Sequence, residues 1–476
     1  MEPNNIDHHS PALKRQRLER VSFELLCEII RAGDSNQLRE KLSDGLIPDL
    51  NTVHINNMNE DYTLLMQASE EGQIECVKVL LEFGASVDLR LPDKDEDDDE
   101  EDEDEDDDEA WFIRKNAIYV ACEKGHFDIV KLLLETDPHA SINHPEFRPL
   151  YEVCRREHLE AAKLLVEHGA ELQDDGQEYG CTALMEASGS GNADLVEYLI
   201  SKGADVNDEN KYNPHALLIA CWGRHSGVME VLLKHGAYVD ATQMGADSGE
   251  DTSLNIACQR GNMDMIRLLL KYGADMNRYN REDLSPFITA YLEHNTEAID
   301  LFLESGMDLN CNESGWTYQR NGENIPIRDK RTPLMHACGR NDVEMVKRLL
   351  AHGADVNVIS ESAPGGDYYV NTAVLDAIVH EEVLQILVDH GADVNLTDSQ
   401  GNTALLSLLT NREYYPVAEP EPMSPAAIKG VTMLLELGMD IAHKNHYGKT
   451  ALDYVVAGTE IEALVKEYTD RKPLLK

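Results

Sequence analysis

The chain is expected to be all-α: a solenoid of stacked antiparallel helix pairs with β-hairpin fingers between them. Two observations predict this. First, the pattern Thr-x-Leu-x-x-Ala returns about every 33 residues. It is clearest at Thr182-Ala183-Leu184-Met185-Glu186-Ala187, Thr252-Ser253-Leu254-Asn255-Ile256-Ala257 and Thr332-Pro333-Leu334-Met335-His336-Ala337. Second, each copy is followed by a Gly or Asn turn, an apolar helix and an ending of the Gly-Ala-Asp-Val-Asn kind. A chain of this design folds by stacking small units and has no single globular core in which a buried active site would form.

The elements of one unit can be justified in order from Thr332 to Asn357. Thr332 is a good N-cap, and Pro333 is tolerated in the first turn. Leu334 and Ala337 share a face of the first helix at a spacing of three. Ala leaves room for the neighbouring repeat. Gly339 to Asp342 make the turn. Val343, Val346, Leu349 and Leu350 form the apolar stripe of a second, antiparallel helix. His352-Gly353 ends it, Gly taking the left-handed C-cap. Ala354-Asp355-Val356-Asn357 leads into a hairpin. One such pair buries too little apolar area to offset its chain entropy, so its neighbours must supply the other walls.

These features resemble the ankyrin-repeat family. The anchors fall at Thr63, Asn116, Arg148, Thr182, His215, Thr252, Ser285, Thr332, Thr372, Thr403 and Thr450. The resemblance covers about Asp61 to Tyr468, with residues 22 to 50 as a degenerate first unit (Gly33 at its turn, Leu38 and Leu42 in its second helix). The Leu-x-x-Ala-Cys units at Leu217 to Cys221 and Leu254 to Cys258 are similar to arrays in multiple-ankyrin, single-KH scaffold proteins. A KH domain needs a Gly-x-x-Gly loop, and no two glycines here stand at that spacing. RNA binding therefore does not carry over.

The expected layout is an N-terminal tail over 1–21, degenerate units over 22–92, an acidic insertion over 93–110, an array over 111–468 and a tail over 469–476. The array is interrupted at 241–251, 311–331, 358–371 and 411–427. The tail holds Lys14-Arg15-Gln16-Arg17, a short nuclear-localisation pattern. The final unit closes with Glu467, Asp470, Arg471 and Lys472, the mark of a solvent-facing cap.

Composition excludes several classes. The net charge is −47, with 42 Lys/Arg against 89 Asp/Glu. Such a chain is a poor partner for a phosphate backbone, so no nucleic acid is expected. No apolar run is long enough to span a membrane and no signal-peptide core opens the chain, so a cytoplasmic or nuclear monomer is expected. Of nine cysteines, Cys122, Cys154, Cys221, Cys258 and Cys338 follow the motif alanine or its substitute, which makes them reduced core thiols. No P-loop, Gly-x-Gly-x-x-Gly, His-Glu-x-x-His or Gly-x-Ser-x-Gly motif is present. His168, His235, His352 and His390 precede the hairpin Gly and suit a helix C-terminus. No enzyme activity, cofactor or metal is expected.

What the sequence does support is an interaction scaffold. The resemblance implies binding through hairpin fingers and the concave face lined by first helices, placing Gln67, Glu186, Ile219, Ile256, His336 and Asp376 on or near that face. Trp222 and Arg224 end a first helix where small or polar residues are usual, and the insertions carry Trp316, Tyr318, Tyr368 and Tyr369. Exposed aromatic residues are favoured interface anchors. The resemblance also implies asparaginyl hydroxylation by an iron- and 2-oxoglutarate-dependent enzyme at Asn207, Asn357 and Asn395, although Asp and Asn equally serve the turn itself.

The alternative reading is a nuclear factor that binds histones or other basic proteins through Asp93 to Glu109, where 16 of 17 residues are acidic. Such a run repels itself and is expected to be disordered. On that reading, deleting Asp93 to Glu109 lowers affinity for a histone tail, and added salt does the same, since screening tightens to about 8 Å at physiological ionic strength. Calorimetric titration at two salt concentrations checks it; affinity unchanged by the deletion removes this reading.

Overall fold

Each repeat begins where a short polar side chain caps a helix. The structure is a computed structural model and describes residues 23–43, 49–52, 54–55, 61–89, 115–143, 148–173, 181–208, 215–242, 251–278, 280, 284–310, 317–320, 323–326, 331–362, 369–397, 400–410, 425–455 and 459–471. Thr63, Asn116, Thr182, Thr252, Ser285, Thr332 and Thr372 each accept a hydrogen bond from the backbone N–H three residues on, at 2.8–3.3 Å. Arg148 and His215 hold the same place without a side-chain cap bond. At Thr450 the reciprocal arm carries the cap: its N–H and hydroxyl both donate to Asp453 Oδ2, at 2.7 and 2.9 Å.

Twelve helix pairs follow among the described residues, and they fall into two compact units, residues 1–238 and 239–476. In the first unit the pairs run from Phe23–Ala32 with Ser35–Ser43 to Ala216–Gly223 with Ser226–Lys234. In the second they run from Ser253–Gln259 with Met263–Lys271 to Ala451–Tyr454 with Glu460–Arg471. Within each unit first helices stack on first helices and second helices on second helices. The core is the seam between them. In the Thr332 repeat, Leu334, Ala337, Val346 and Leu349 are at most 1% exposed, as the spacing requires. Val343 and Leu350 are only half-buried, and Met345 takes the third buried place on that stripe. In the degenerate first unit Gly33 turns at φ 70° and Leu38 and Leu42 are buried.

Connections between repeats are of two kinds. Paired antiparallel strands form at His54–Ile55 with Asp61–Tyr62, at Thr317–Arg320 with Glu323–Pro326, and at Ile359–Ser362 with Tyr369–Thr372. An isolated antiparallel bridge joins Thr397 to Thr403, and the other described repeat ends are turns. The helix Pro425–Glu436 starts inside the interval expected to be a loop to 427, because Pro fits a first helical turn. The last helix runs to Arg471, past the expected 468. The acidic run lies outside the described residues.

The turn between the two helices does a second job. Eight repeats place a residue with positive φ nine positions after the anchor: Gly72, Gly125, Glu157, Gly191, Arg224, Gly261, His294 and Asn341. Glycine there does more than permit the backbone. The side chain that opens the next repeat's second helix reaches back beneath it. The His126 ring N–H at Nε2 donates to the Glu70 carbonyl at 3.0 Å, and His225 does the same to Gly189 at 3.0 Å. A Cβ on Gly191 would come within 2.5 Å of His225 Nδ1. Across the Cys311 to Arg331 insertion, Tyr291 takes over this role, its hydroxyl donating to Asp342 Oδ2 at 3.1 Å.

A prediction separates the two uses of glycine. Gly191→Ala and Gly203→Ala both place Ala at positive φ, but nothing lies within 4 Å of a Cβ at Gly203. Gly191→Ala also displaces His225 and its hydrogen bond. It should therefore destabilise by roughly 1 kcal/mol more than Gly203→Ala in urea unfolding; equal losses would show that the latch contributes nothing.

Candidate interaction surface

Four residues after each anchor the first helix carries a side chain whose chemistry changes from repeat to repeat. In the first unit these are Gln67, Val120, Glu152, Glu186 and Ile219; in the second, Ile256, Thr289, His336 and Asp376. One residue later the chain is small and sealed: Ala68, Ala121, Ala187 and Ala220 are 0% exposed, as are Ala257 and Ala337, and Val153 holds the place at 0% in the Arg148 repeat. The core row is fixed while the row beside it varies. Gln67 and Ile256, both expected on the binding side, are buried instead. Gln67 is turned along its own helix, donating to Glu71 at 3.0 Å. Glu186, Ile219, His336 and Asp376 are half-buried.

In the first unit several ion pairs lie on the helices that carry this row. Lys124 pairs with Glu70 at 3.0 Å and Lys115 with Glu123 at 3.2 Å. Glu152 is 6% exposed and is held by Arg155 at 2.8 Å and by Arg156. Burial pushes its carboxyl up, but the hydrogen bonds from Arg156 and Arg155 outweigh it and hold the group below the usual carboxylate range. Glu186, one repeat on, goes the other way. Burial raises it, and the opposing pull of Arg155 and a hydrogen bond with the Cys181 thiol does not restore it. Tyr119, beside Glu152 and Glu123, is pushed up to about 12, chiefly by burial. Glu186 is thus a half-buried carboxylate whose charge is under-compensated within its own unit.

Trp222 and Arg224 lie at the end of the helix that packs on the Glu186 helix. Trp222 is 36% exposed. Arg224 is the C-cap and sits at φ 63°, a left-handed conformation that costs an arginine about 1 kcal/mol and that glycine adopts at the same place in other repeats. Gly223 between Trp222 and Arg224 is exposed, and a Cβ there would meet the His225 ring. The structure brings Glu186, Ile219, Trp222 and Arg224 onto neighbouring helices. The remaining candidates belong to the second unit. Tyr318 and Tyr369 fall in the two longer hairpins of the second unit, paired with Ile325 and Ser362. Trp316 and Tyr368 lie outside the described residues.

The repeat-end asparagines tie each finger to the next. Asn207 Oδ1 accepts from Tyr238 N–H at 2.8 Å and its amide donates to Gly236 at 3.0 Å. Asn357 repeats this with Asp393 at 2.8 Å and Gly391 at 3.1 Å, and Asn395 accepts from Asp440 N–H at 2.7 Å. The histidines preceding the hairpin glycines are helix caps: His168, His352 and His390 each donate from Nδ1 to the carbonyl four residues back at 2.8 Å. His235 instead reaches Glu197 of the preceding repeat at 3.0 Å. None of the eight described cysteines forms a disulfide, and burial pushes the Cys122, Cys154 and Cys338 thiols well up. Among the described residues no group of three or more His, Cys, Asp or Glu could hold a metal ion, and no helix is long and apolar enough to cross a membrane.

Capped helix pairs, left-handed turns and interlocked fingers define a repeat solenoid of the ankyrin class. A family model described as ankyrin repeats in three copies matches residues 97–175, 118–210, 171–243, 242–313 and 316–398, and a single-repeat model matches 60–91. The chain belongs to the ankyrin-repeat family. It is 26% identical over 318 residues to human transient receptor potential cation channel subfamily A member 1, covering 60% of this chain and 26% of the channel. It is 31% identical over 279 residues to the Caenorhabditis elegans ankyrin repeat and KH domain-containing protein mask-1, covering 55% of this chain and 10% of that protein. The chain therefore spans about a quarter or less of these relatives' length. A crystal structure of the human ASB11 ankyrin repeat domain aligns at TM-score 0.42 and 24% identity, over 50% of this chain and 97% of that one. Ankyrin repeats are generally protein–protein interaction modules.

The two carboxylates carry opposite pH signatures. A carboxyl held low in the folded state stabilises above its unfolded value, near 4.3, and that stability is lost as pH falls through the folded value. Glu152→Gln should therefore destabilise at pH 7 and lose that effect in acid. A carboxyl held high destabilises once pH rises through it, so Glu186→Gln should be neutral or stabilising at pH 7. Thermal melts of both variants at pH 3 and pH 7 check this; equal losses at pH 7 would contradict it.

Proposed function

We propose that the protein is a non-enzymatic scaffold or adaptor that docks a protein partner on the first-helix face of its first unit, with finger tips contributing. The observation that carries this is exposed Trp222 beside Arg224. The turn position tolerates glycine at no strain, yet an exposed arginine is held there in the left-handed region, beside exposed Trp222 and one repeat from the under-compensated Glu186. Glu157, His294 and Asn341 hold the same turn in the same left-handed conformation, so what sets this repeat apart is the exposed aromatic beside the arginine, the residue type favoured as an interface anchor. A partner side chain of positive charge would complete Glu186 and lie against Trp222.

The same reading keeps Tyr318 and Tyr369 as finger contacts and Asn207, Asn357 and Asn395 as modification candidates. Any modification at these asparagines must reach a side chain tied to the next repeat, so it requires that finger to open locally.

The test uses the strain itself. Arg224→Gly should raise unfolding stability by about 1 kcal/mol while depleting the partners captured by proximity labelling and mass spectrometry in cells, as Trp222→Ala should also. Loss of partners from a more stable protein cannot be a folding defect. A partner set identical to wild type in both variants would overturn the assignment of this face.

A further inference from the structure

Each finger is tied to the next by one side chain in a fixed register. Asn51, Asn143, Asn207, Asn310, Asn357 and Asn395 each accept, at 2.7–2.9 Å, the N–H of the residue two places after the next hairpin glycine. In three of these ties the amide also donates to the carbonyl of that glycine: Asn143 to Gly169 at 2.9 Å, Asn207 to Gly236 at 3.0 Å and Asn357 to Gly391 at 3.1 Å. An amide suits the place because it offers a donor and an acceptor at once.

At the start of the second unit a carboxyl holds this place. Asp240 accepts the Asp275 N–H, at 3.0 Å on Oδ1 and 3.3 Å on Oδ2, and Asp275 stands two places after Gly273. By register the carbonyl at the donated position is that of Gly273. An ionised carboxylate is an acceptor only and has no proton to give it, whereas a protonated one carries an O–H and matches the amide. The surroundings favour the proton. Asp240 is half-buried, and burial raises its carboxyl. The bond from the Asp275 N–H pulls the other way. Among the described residues two charged groups act on it, both on the next finger: Asp275 raises it and Arg278 lowers it, and the balance is upward. We propose that Asp240 makes this finger contact proton-sensitive: protonated, it donates to the Gly273 carbonyl and completes the tie that asparagine makes elsewhere; ionised, it keeps only the Asp275 bond, and the two fingers part more often. A carboxyl held high in the folded state favours folding less as pH rises from the ordinary carboxylate value through the folded one. The tie is therefore tightest in acid and loosens toward neutral pH. The device is independent of the Trp222 surface and holds whatever partner docks there.

Hydrogen exchange of the full chain, read by mass spectrometry and corrected for the intrinsic pH dependence of amide exchange, tests this. The segment 273–278 is compared with 391–395, where the tie is made by Asn357, so that any change in global stability cancels. In the wild type, protection of 273–278 relative to 391–395 should fall about twofold or more between pH 5 and pH 7.5. Asp240→Asn restores the amide found in six other fingers. It should remove that pH dependence and leave 273–278 better protected than wild type at pH 7.5. A wild-type ratio that does not change with pH, or an Asp240→Asn chain in which 273–278 still loosens as pH rises, would overturn the proposal.

Discussion

Everything in this fold depends on one constraint: a helix pair cannot bury its apolar seam by itself. The alanine row at 0% exposure and the Leu or Phe row at 2% or less are sealed only because the next first helix lies against them. Burying one such leucine is worth roughly 1.5–3 kcal/mol. That gain belongs to the interface, not to the pair. The interface is therefore the unit of stability, and the sequence is most uniform there. Side chains that touch no neighbouring repeat are released to vary.

Polar groups then set the register of the stack. Three kinds of bond cross between repeats: turn histidines to the preceding carbonyl, repeat-end asparagines to the next finger, and the ion pairs of Lys124 with Glu70 and Arg156 with Glu123. Each is modest, about 1 kcal/mol for a neutral bond. Their value is directional, since a slipped stack would leave these donors and carbonyls mismatched. Where an insertion separates two repeats, the bond between Tyr291 and Asp342 keeps the spacing across it.

Much of this was legible in the sequence because it is local. A threonine four residues before a variable position announces a cap, and all the anchors from Thr63 to Thr372 open first helices, including Arg148 and His215, which cap nothing with their side chains. The glycine turns and buried Cys122, Cys154 and Cys338 were legible for the same reason. The latches were not: His126 and Glu70 are 56 residues apart, and nothing local pairs them. Nor could spacing separate Glu152 from Glu186, which occupy the same register, two guanidiniums facing the first and one the second. Arg224 was singled out for its chemistry, while its left-handed backbone became visible only with the fold.

The claim that stability resides between repeats is tested most directly by excision. A polypeptide of residues 331–357, one complete helix pair, should show no cooperative unfolding and little helical circular dichroism at 25 °C. A polypeptide of residues 284–397, which gives that pair a neighbour on each side, should be helical and should unfold in a single transition. A stable, helical 331–357 on its own would contradict the account.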